Sequence, residues 1–270
     1  RHGGLLLLPG TRTATGVAPA VATRPVSGAG AARRVHALVR AIVAALPLVA
    51  VLGGAVLLRT LFLTTIGYNS DEAVYAGQGA AIAQVPELTE IFPVFRAHPL
   101  LFQFVLGLAY LGGHVSDAVG RGLAVAVGVA TVFVVYRLGT RLYGRRAGLI
   151  AAAILAVMPY HVVVTRQVLL DGPMVLFATV TLYMLARFAE VQRPAWLLGA
   201  AAGLGMTFLA KEIGFIMTGA VYAFLALSPR IRVRVRDIAL SLVVLLAVMA
   251  PFPLSVMLAG GGGGGKTSQY

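Results

Sequence analysis

Four short constellations carry the residues that could do chemistry. The first is Tyr68-Asn69-Ser70-Asp71-Glu72-Ala73-Val74-Tyr75, with two adjacent carboxylates and Tyr75 one helical turn beyond Asp71. The second is Arg96-Ala97-His98-Pro99, a cation and an imidazole fixed by a turn before proline. The third runs Arg166-Gln167-Val168-Leu169-Leu170-Asp171-Gly172-Pro173, and the fourth is the pair Lys211-Glu212. A carboxylate such as Asp71 can take a proton from a hydroxyl, with Glu72 beside it as orienter. His98, Arg166, Arg96 and Lys211 can hold a phosphate. Each group also has a plainer reading. Asn69 or Ser70 can cap a helix whose first turn favours acids. Asp171 can be an N-cap ahead of Gly172-Pro173, and Lys211-Glu212 a tight turn.

The elements that position these groups follow from composition. The chain has 270 residues, 59% apolar and only 11% charged. A soluble globule of this size cannot hide so much apolar surface, and a disordered chain would not carry it. With no cysteine, a disulfide framework, a thiol nucleophile and thiolate metal sites are excluded. Apolar runs cover residues 37–63, 119–135, 147–164, 173–186, 195–210, 213–227 and 238–258. A membrane helix takes roughly 17–25 residues, and the shorter runs reach this with their flanks. The run 99–113 is too short, at about 22 Å as a helix. The expected fold class is therefore all-α, a polytopic transmembrane helix bundle of about seven spans, with interfacial helices in a long first outer loop.

Charge supplies the orientation. The net charge is +13. Arginines gather in residues 1–40, at Arg137, Arg141, Arg145 and Arg146, at Arg187 and Arg193, and at Arg230, Arg232, Arg234 and Arg236. Basic residues collect in cytoplasmic loops. Seven spans put all four groups on one side and seven of the nine carboxylates on the other. The basic excess then reports topology, and no nucleic-acid partner is needed. Residues 1–36 read as a basic cytoplasmic tail without order, 37–258 as the membrane module, and 259–270 as a Gly-rich outer segment where the chain is cut short. Within the module, 64–118 is an outer loop, with a short helix over 70–83 and with 99–113 lying in the interface. Residues 260–267 match a phosphate-loop pattern, but the strand and helix that motif needs are absent.

In this order, the constellations resemble the membrane glycosyltransferases that use a polyprenyl-phosphate sugar. These are the protein O-mannosyltransferases and the aminoarabinose transferases of the GT-C fold. Their Asp-Glu pair corresponds to Asp71-Glu72 in NSDEAVYA, and their His-Pro or Lys-Pro to His98-Pro99. Their Arg…Leu-Leu-Asp-x-Pro segment corresponds to Arg166 through Pro173, and their Lys after a Gly-rich span to Lys211 in FLAKEIGF. The chain departs from many members at Ile213-Gly214, and seven spans correspond to an N-terminal portion of the family's length.

The resemblance implies transfer of a sugar from a polyprenyl-phosphate donor to a hydroxyl acceptor on protein, lipid or glycan, at the outer face of the plasma membrane. Asp71 and Glu72 would be catalytic, and His98, Arg166, Arg96 and Lys211 would bind the donor phosphate. Asp171 and Tyr75 would serve the acceptor or the structure. Membrane lipids are partners, and a divalent metal is left open as a cofactor. The alternative is a transporter or flippase for a lipid-linked or anionic solute. Such proteins show inverted repeats and midplane charges, and here the charges cluster at the outer edge without a repeat.

Overall fold

Helix boundaries in this chain are written by a few residues. In the computed structural model, residues 28–91, 98–229 and 231–258 are described, and the regular elements among them are α-helices and one 3₁₀ turn, with no strand. Asn69 caps α2 (Ser70–Ile82), which matches the helix expected over 70–83. A six-residue helix, α3 (Pro86–Ile91), follows the α1 (Gly28–Thr60) and α2 pair in the chain, and α4 (Leu101–Tyr110) comes next. Ser116 Oγ accepts from the Val119 N–H at 3.3 Å and starts α5 (Asp117–Tyr143). Gly144, at φ +87°, turns the chain directly into α6 (Arg145–Val157), a backbone conformation that glycine adopts without strain.

Proline breaks the next run. Met158 is extended and Pro159 opens α7 (Pro159–Val164), so the apolar stretch 147–164 is two helices. Then come α8 (Asp171–Val191), α9 (Pro194–Ala210), a 3₁₀ turn over Glu212–Gly214, α10 (Phe215–Leu227), α11 (Val235–Met249) and α12 (Pro251–Leu258).

One expectation needs correction. The tail expected over 1–36 lies outside the described residues up to 27, and α1 is already helical from Gly28, where Ala and Arg favour helix. Residues 28–44 belong to a unit of their own, and the remaining description concerns residues 45–270. The count of seven spans is not confirmed. Four helices are long and apolar enough to cross a membrane: His36–Thr60, Asp117–Tyr143, Asp171–Val191 and Val235–Ser255. Leu101–Tyr110, Pro194–Ala210 and Glu212–Leu227 are apolar but shorter. At a rise of about 1.5 Å per residue, α9 with its 17 residues reaches roughly 26 Å. The Gly-rich segment 259–270, with its phosphate-loop pattern, lies outside the described residues.

Side-chain contacts identify the two ends of these helices. At one end, Arg166 reaches the Leu61 and Phe62 carbonyls, Glu72 meets Arg121, and Lys211 meets Asp171. At the other, Arg141 and Arg187 share Glu190. Large apolar side chains such as Leu57, Ile150, Ile154, Val243 and Leu246 face outward, as lipid contact requires and water would not favour. These are the helices of an integral membrane protein.

The helix bearing the two carboxylates is seated on α4. Gln103 Nε2 donates to Gln78 Oε1 at 3.2 Å, with both side chains buried. The two backbones approach closely at Gly79 and Gly107. A Cβ on Gly79 would stand 2.8 Å from Leu106 Cβ, and one on Gly107 would stand 2.7 Å from Ile82 Cγ2. Beneath them Ala76, Ala80, Phe102, Leu106, Ala124 and Val168 form one core.

Candidate active site

Adjacent residues on a helix point about 100° apart, and that rotation divides Asp71 from Glu72. Glu72 is buried, at 1% exposure, and every contact it makes is internal. Arg121 Nε donates to its Oε1 at 2.9 Å and Arg121 Nη2 to its Oε2 at 2.8 Å, a forked pair. The Val168 N–H donates to Oε1 at 3.0 Å and the Asn69 N–H to Oε2 at 3.3 Å. With the Glu72 N–H donating to Asn69 Oδ1, this closes a capping box. Arg121 also donates to the carbonyls of Leu63, Ile66 and Gly67 at 2.8, 2.6 and 3.0 Å, and its guanidinium lies over the Tyr68 ring at 5.0 Å. One ion pair thus ties the loop after α1, the start of α2, the start of α5 and the link before α8.

Asp71, by contrast, is exposed and has neither hydrogen bond nor ion pair among the described residues. Its charge acts on the half-buried Tyr75 phenol, whose pKa is raised by burial first and then by Asp71, Asp171 and Glu212. Those last two carboxylates come from the third and fourth constellations, so the fold gathers three of the motifs around Tyr75.

Asp171 does not cap α8, which has no side-chain cap bond; its Oδ1 accepts from Lys211 Nζ at 2.9 Å. Glu212 lies 2.9 Å from His98 Nδ1. Lys211 and Glu212 are therefore more than a tight turn, because each reaches a different segment. All four are partly exposed and open to an incoming ligand.

Arg166 lies elsewhere at the same end. Its Nη2 donates to Leu61 O at 2.6 Å and Phe62 O at 3.2 Å. Phe62 has φ +54°, an uncommon backbone state for a bulky residue. Arg166, Arg121, Glu72 and Asn69 line a cavity of about 250 Å³. Arg96 lies outside the described residues. Among the described residues no group of three or more His, Cys, Asp and Glu is placed to hold a metal ion.

Sequence reasoning passed over Arg121 as a site residue, and with it Arg59 and His161. Arg59 is fully buried. Its Nε donates to Thr165 Oγ1 at 2.8 Å, its Nη1 to Ala55 O and Ala156 O at 3.0 Å each, and its Nη2 to His161 Nδ1 at 2.7 Å. This network holds the backbone just ahead of Arg166. The available signal was an ionisable residue inside an apolar run, which is expensive in a membrane and marks function or a specific partner.

An all-helical membrane bundle with a carboxylate pair opening its first loop helix, and cations from later loops at the same end, has the architecture of the GT-C class. The family described as dolichyl-phosphate-mannose-protein mannosyltransferase matches residues 97–256, and the chain belongs to that family. The match begins after Asp71 and Glu72 in the sequence. The Saccharomyces cerevisiae protein O-mannosyltransferase Pmt1-Pmt2 complex, a structure bound to the sugar donor, has a similar fold, with a TM-score of 0.54 and 18% sequence identity. The similarity covers 79% of this chain and 32% of that one, so the chain spans about a third of its structural neighbour. No curated protein matches the chain.

Proposed function

We propose that this chain is the donor-binding and catalytic membrane portion of an enzyme that moves mannose from a polyprenyl phosphate to a hydroxyl acceptor at the outer face of the plasma membrane. The observation that carries this reading is the division between the carboxylates: Glu72 is saturated by internal partners, whereas Asp71 is exposed beside it and unpaired among the described residues. Family membership supports the sugar and the lipid-phosphate donor.

In the proposed step the acceptor oxygen attacks the anomeric carbon as the carbon–oxygen bond to phosphate breaks. The acceptor proton passes to Asp71, and the bonding electrons leave with the polyprenyl phosphate. A phosphate is already a good leaving group, so one base suffices, and the remaining work is to hold the growing anionic charge. Lys211, His98 and Arg166 supply cations for this, with Arg96 a fourth. Glu72, through Arg121, fixes the start of α2 and thereby orients Asp71. Asp171 is the resting counter-ion of Lys211 and turns to the acceptor once phosphate takes the lysine. Tyr75 lies between these groups.

The test is transfer from polyprenyl-phosphate mannose to a hydroxyl acceptor by the full-length protein in nanodiscs, with the donor titrated. Lys211→Ala and Arg166→Ala should each raise the apparent donor KM, since a charge-assisted hydrogen bond is worth about 1.5–3 kcal/mol. Arg166→Lys should recover part, because charge returns without the fork. If Arg166→Ala leaves KM unchanged and lowers only accumulation, Arg166 is an anchor for the 61–62 turn and leaves the site.

Orientation is tested separately. Single cysteines at Thr65 and Gln167 should react with an impermeant thiol reagent in intact cells, and one at Ser228 should not, because the N-terminus and the arginine end are cytoplasmic in this reading. Opposite-sided labelling of Thr65 and Gln167 would overturn it.

A further inference from the structure

The end of the bundle remote from Asp71 holds a second charged cavity. It measures about 580 Å³ and is walled by Phe188, Gln192 and Pro194 from the α8–α9 turn, and by Arg232, Arg234 and Asp237 from the approach to α11 and its first turn. Its charges are unbalanced in an informative way. The Asp237 side chain is only 9% exposed, yet its carboxylate accepts no hydrogen bond among the described residues. Among the described residues its ion pair is with Arg236 Nε at 3.9 Å, beyond hydrogen-bond reach. A carboxylate this largely covered is favoured by an N–H donor that enters the cavity. Arg232 and Arg234 are exposed, and neither side chain has an ion pair or hydrogen bond among the described residues. The leading N–H groups of α11 add donors at the same end, as at any helix start.

Complementarity then names the occupant. The arginines call for an oxyanion, and Asp237 calls for a cationic N–H donor within the same cavity. The cavity sits at one end of Asp171–Val191 and of Val235–Ser255, both long and apolar enough to cross a membrane, which is where headgroups would meet the bundle. We infer that this cavity binds the headgroup of an ethanolamine phospholipid, with its phosphate between Arg232 and Arg234 and its primary ammonium on Asp237. A choline headgroup has the charge but no N–H to donate, and a glycerol headgroup has hydroxyls but no cation. The inference is independent of the transfer proposed above and lies at the opposite end from it.

Native mass spectrometry of the full-length protein in detergent tests it, with phosphatidylethanolamine, phosphatidylcholine and phosphatidylglycerol of identical acyl chains. The ethanolamine lipid should bind saturably and about tenfold more tightly than the choline lipid, the scale of one charge-assisted hydrogen bond. Asp237→Asn should erase that preference, and Arg232→Ala with Arg234→Ala should weaken all three lipids together. Mannose transfer should be unchanged in these variants, which also reports that they are folded.

Equal binding of the three headgroups by the wild type, or binding of none, overturns the inference. So does a preference that survives Asp237→Asn. Competition by chain-free glycerophosphoethanolamine as strong as by the lipid would also overturn it, since the ligand would then be soluble. The wild-type headgroup series decides the matter even where Asp237→Asn fails to accumulate.

Discussion

Asp71→Asn in the full-length protein lowers turnover by roughly 10²-fold or more, the scale of a lost general base, while protein abundance stays near wild type. The substitution keeps size and removes only the proton acceptor. Abundance should hold because Asp71 is exposed and supports no other side chain by hydrogen bond or ion pair among the described residues. The capping box also survives, since it belongs to Asn69 and Glu72. The measurement is initial rate at saturating donor and acceptor, alongside the amount of folded protein. Turnover within a factor of about three of wild type would leave Asp71 with no more than a first-turn charge effect, which is worth under about 1 kcal/mol at an exposed site.

Arg121→Ala should instead damage the fold. Its partner Glu72 would be left at 1% exposure without its cation, and the carbonyls of Leu63, Ile66 and Gly67 would lose their donor. Breaking one side of a buried ion pair costs about 3–5 kcal/mol. That corresponds to a fall on the order of 10 °C in the apparent unfolding midpoint for a chain of this size. Combining Arg121→Met with Glu72→Gln removes both charges and should restore part of the loss, because no ion is stranded. An unchanged midpoint in Arg121→Ala would show that the pair does not hold these elements together. Thermal unfolding of the detergent-solubilised full-length protein reads this directly, and it separates the structural carboxylate from the proposed catalytic one next to it.

Much of this arrangement was legible in residue types. The apolar excess gave the helical membrane class, Asn69 and the two acids marked the start of α2, and the short run 99–113 became the ten-residue α4. Gathering of the motifs at one end followed from the alternation of apolar runs. What was hidden is three-dimensional pairing. Nothing local says that Glu72 meets Arg121 across 49 positions, or that Lys211 and Glu212, neighbours in the chain, take different partners 40 and 114 positions away. The division between Asp71 and Glu72 was hidden as well, because two adjacent acids look equivalent until the helix rotates one inward. The continuity of the run 147–164 was lost for a local reason, since Pro159 opens a second helix within it.

Arg59 bears on how the protein is made. Its guanidinium finds one acceptor within its own helix, Ala55, but its other partners, Ala156, His161 and Thr165, lie 97, 102 and 106 positions later. At a synthesis rate of about 5–20 residues per second, those partners emerge on the order of 5–20 s after Arg59 itself. Until then the first helix carries an arginine close to its end, from which a long side chain can reach up to the headgroups while its stem stays in the apolar layer. The set of acceptors around the Arg59 guanidinium is therefore complete only when the chain around residues 156–165 has arrived.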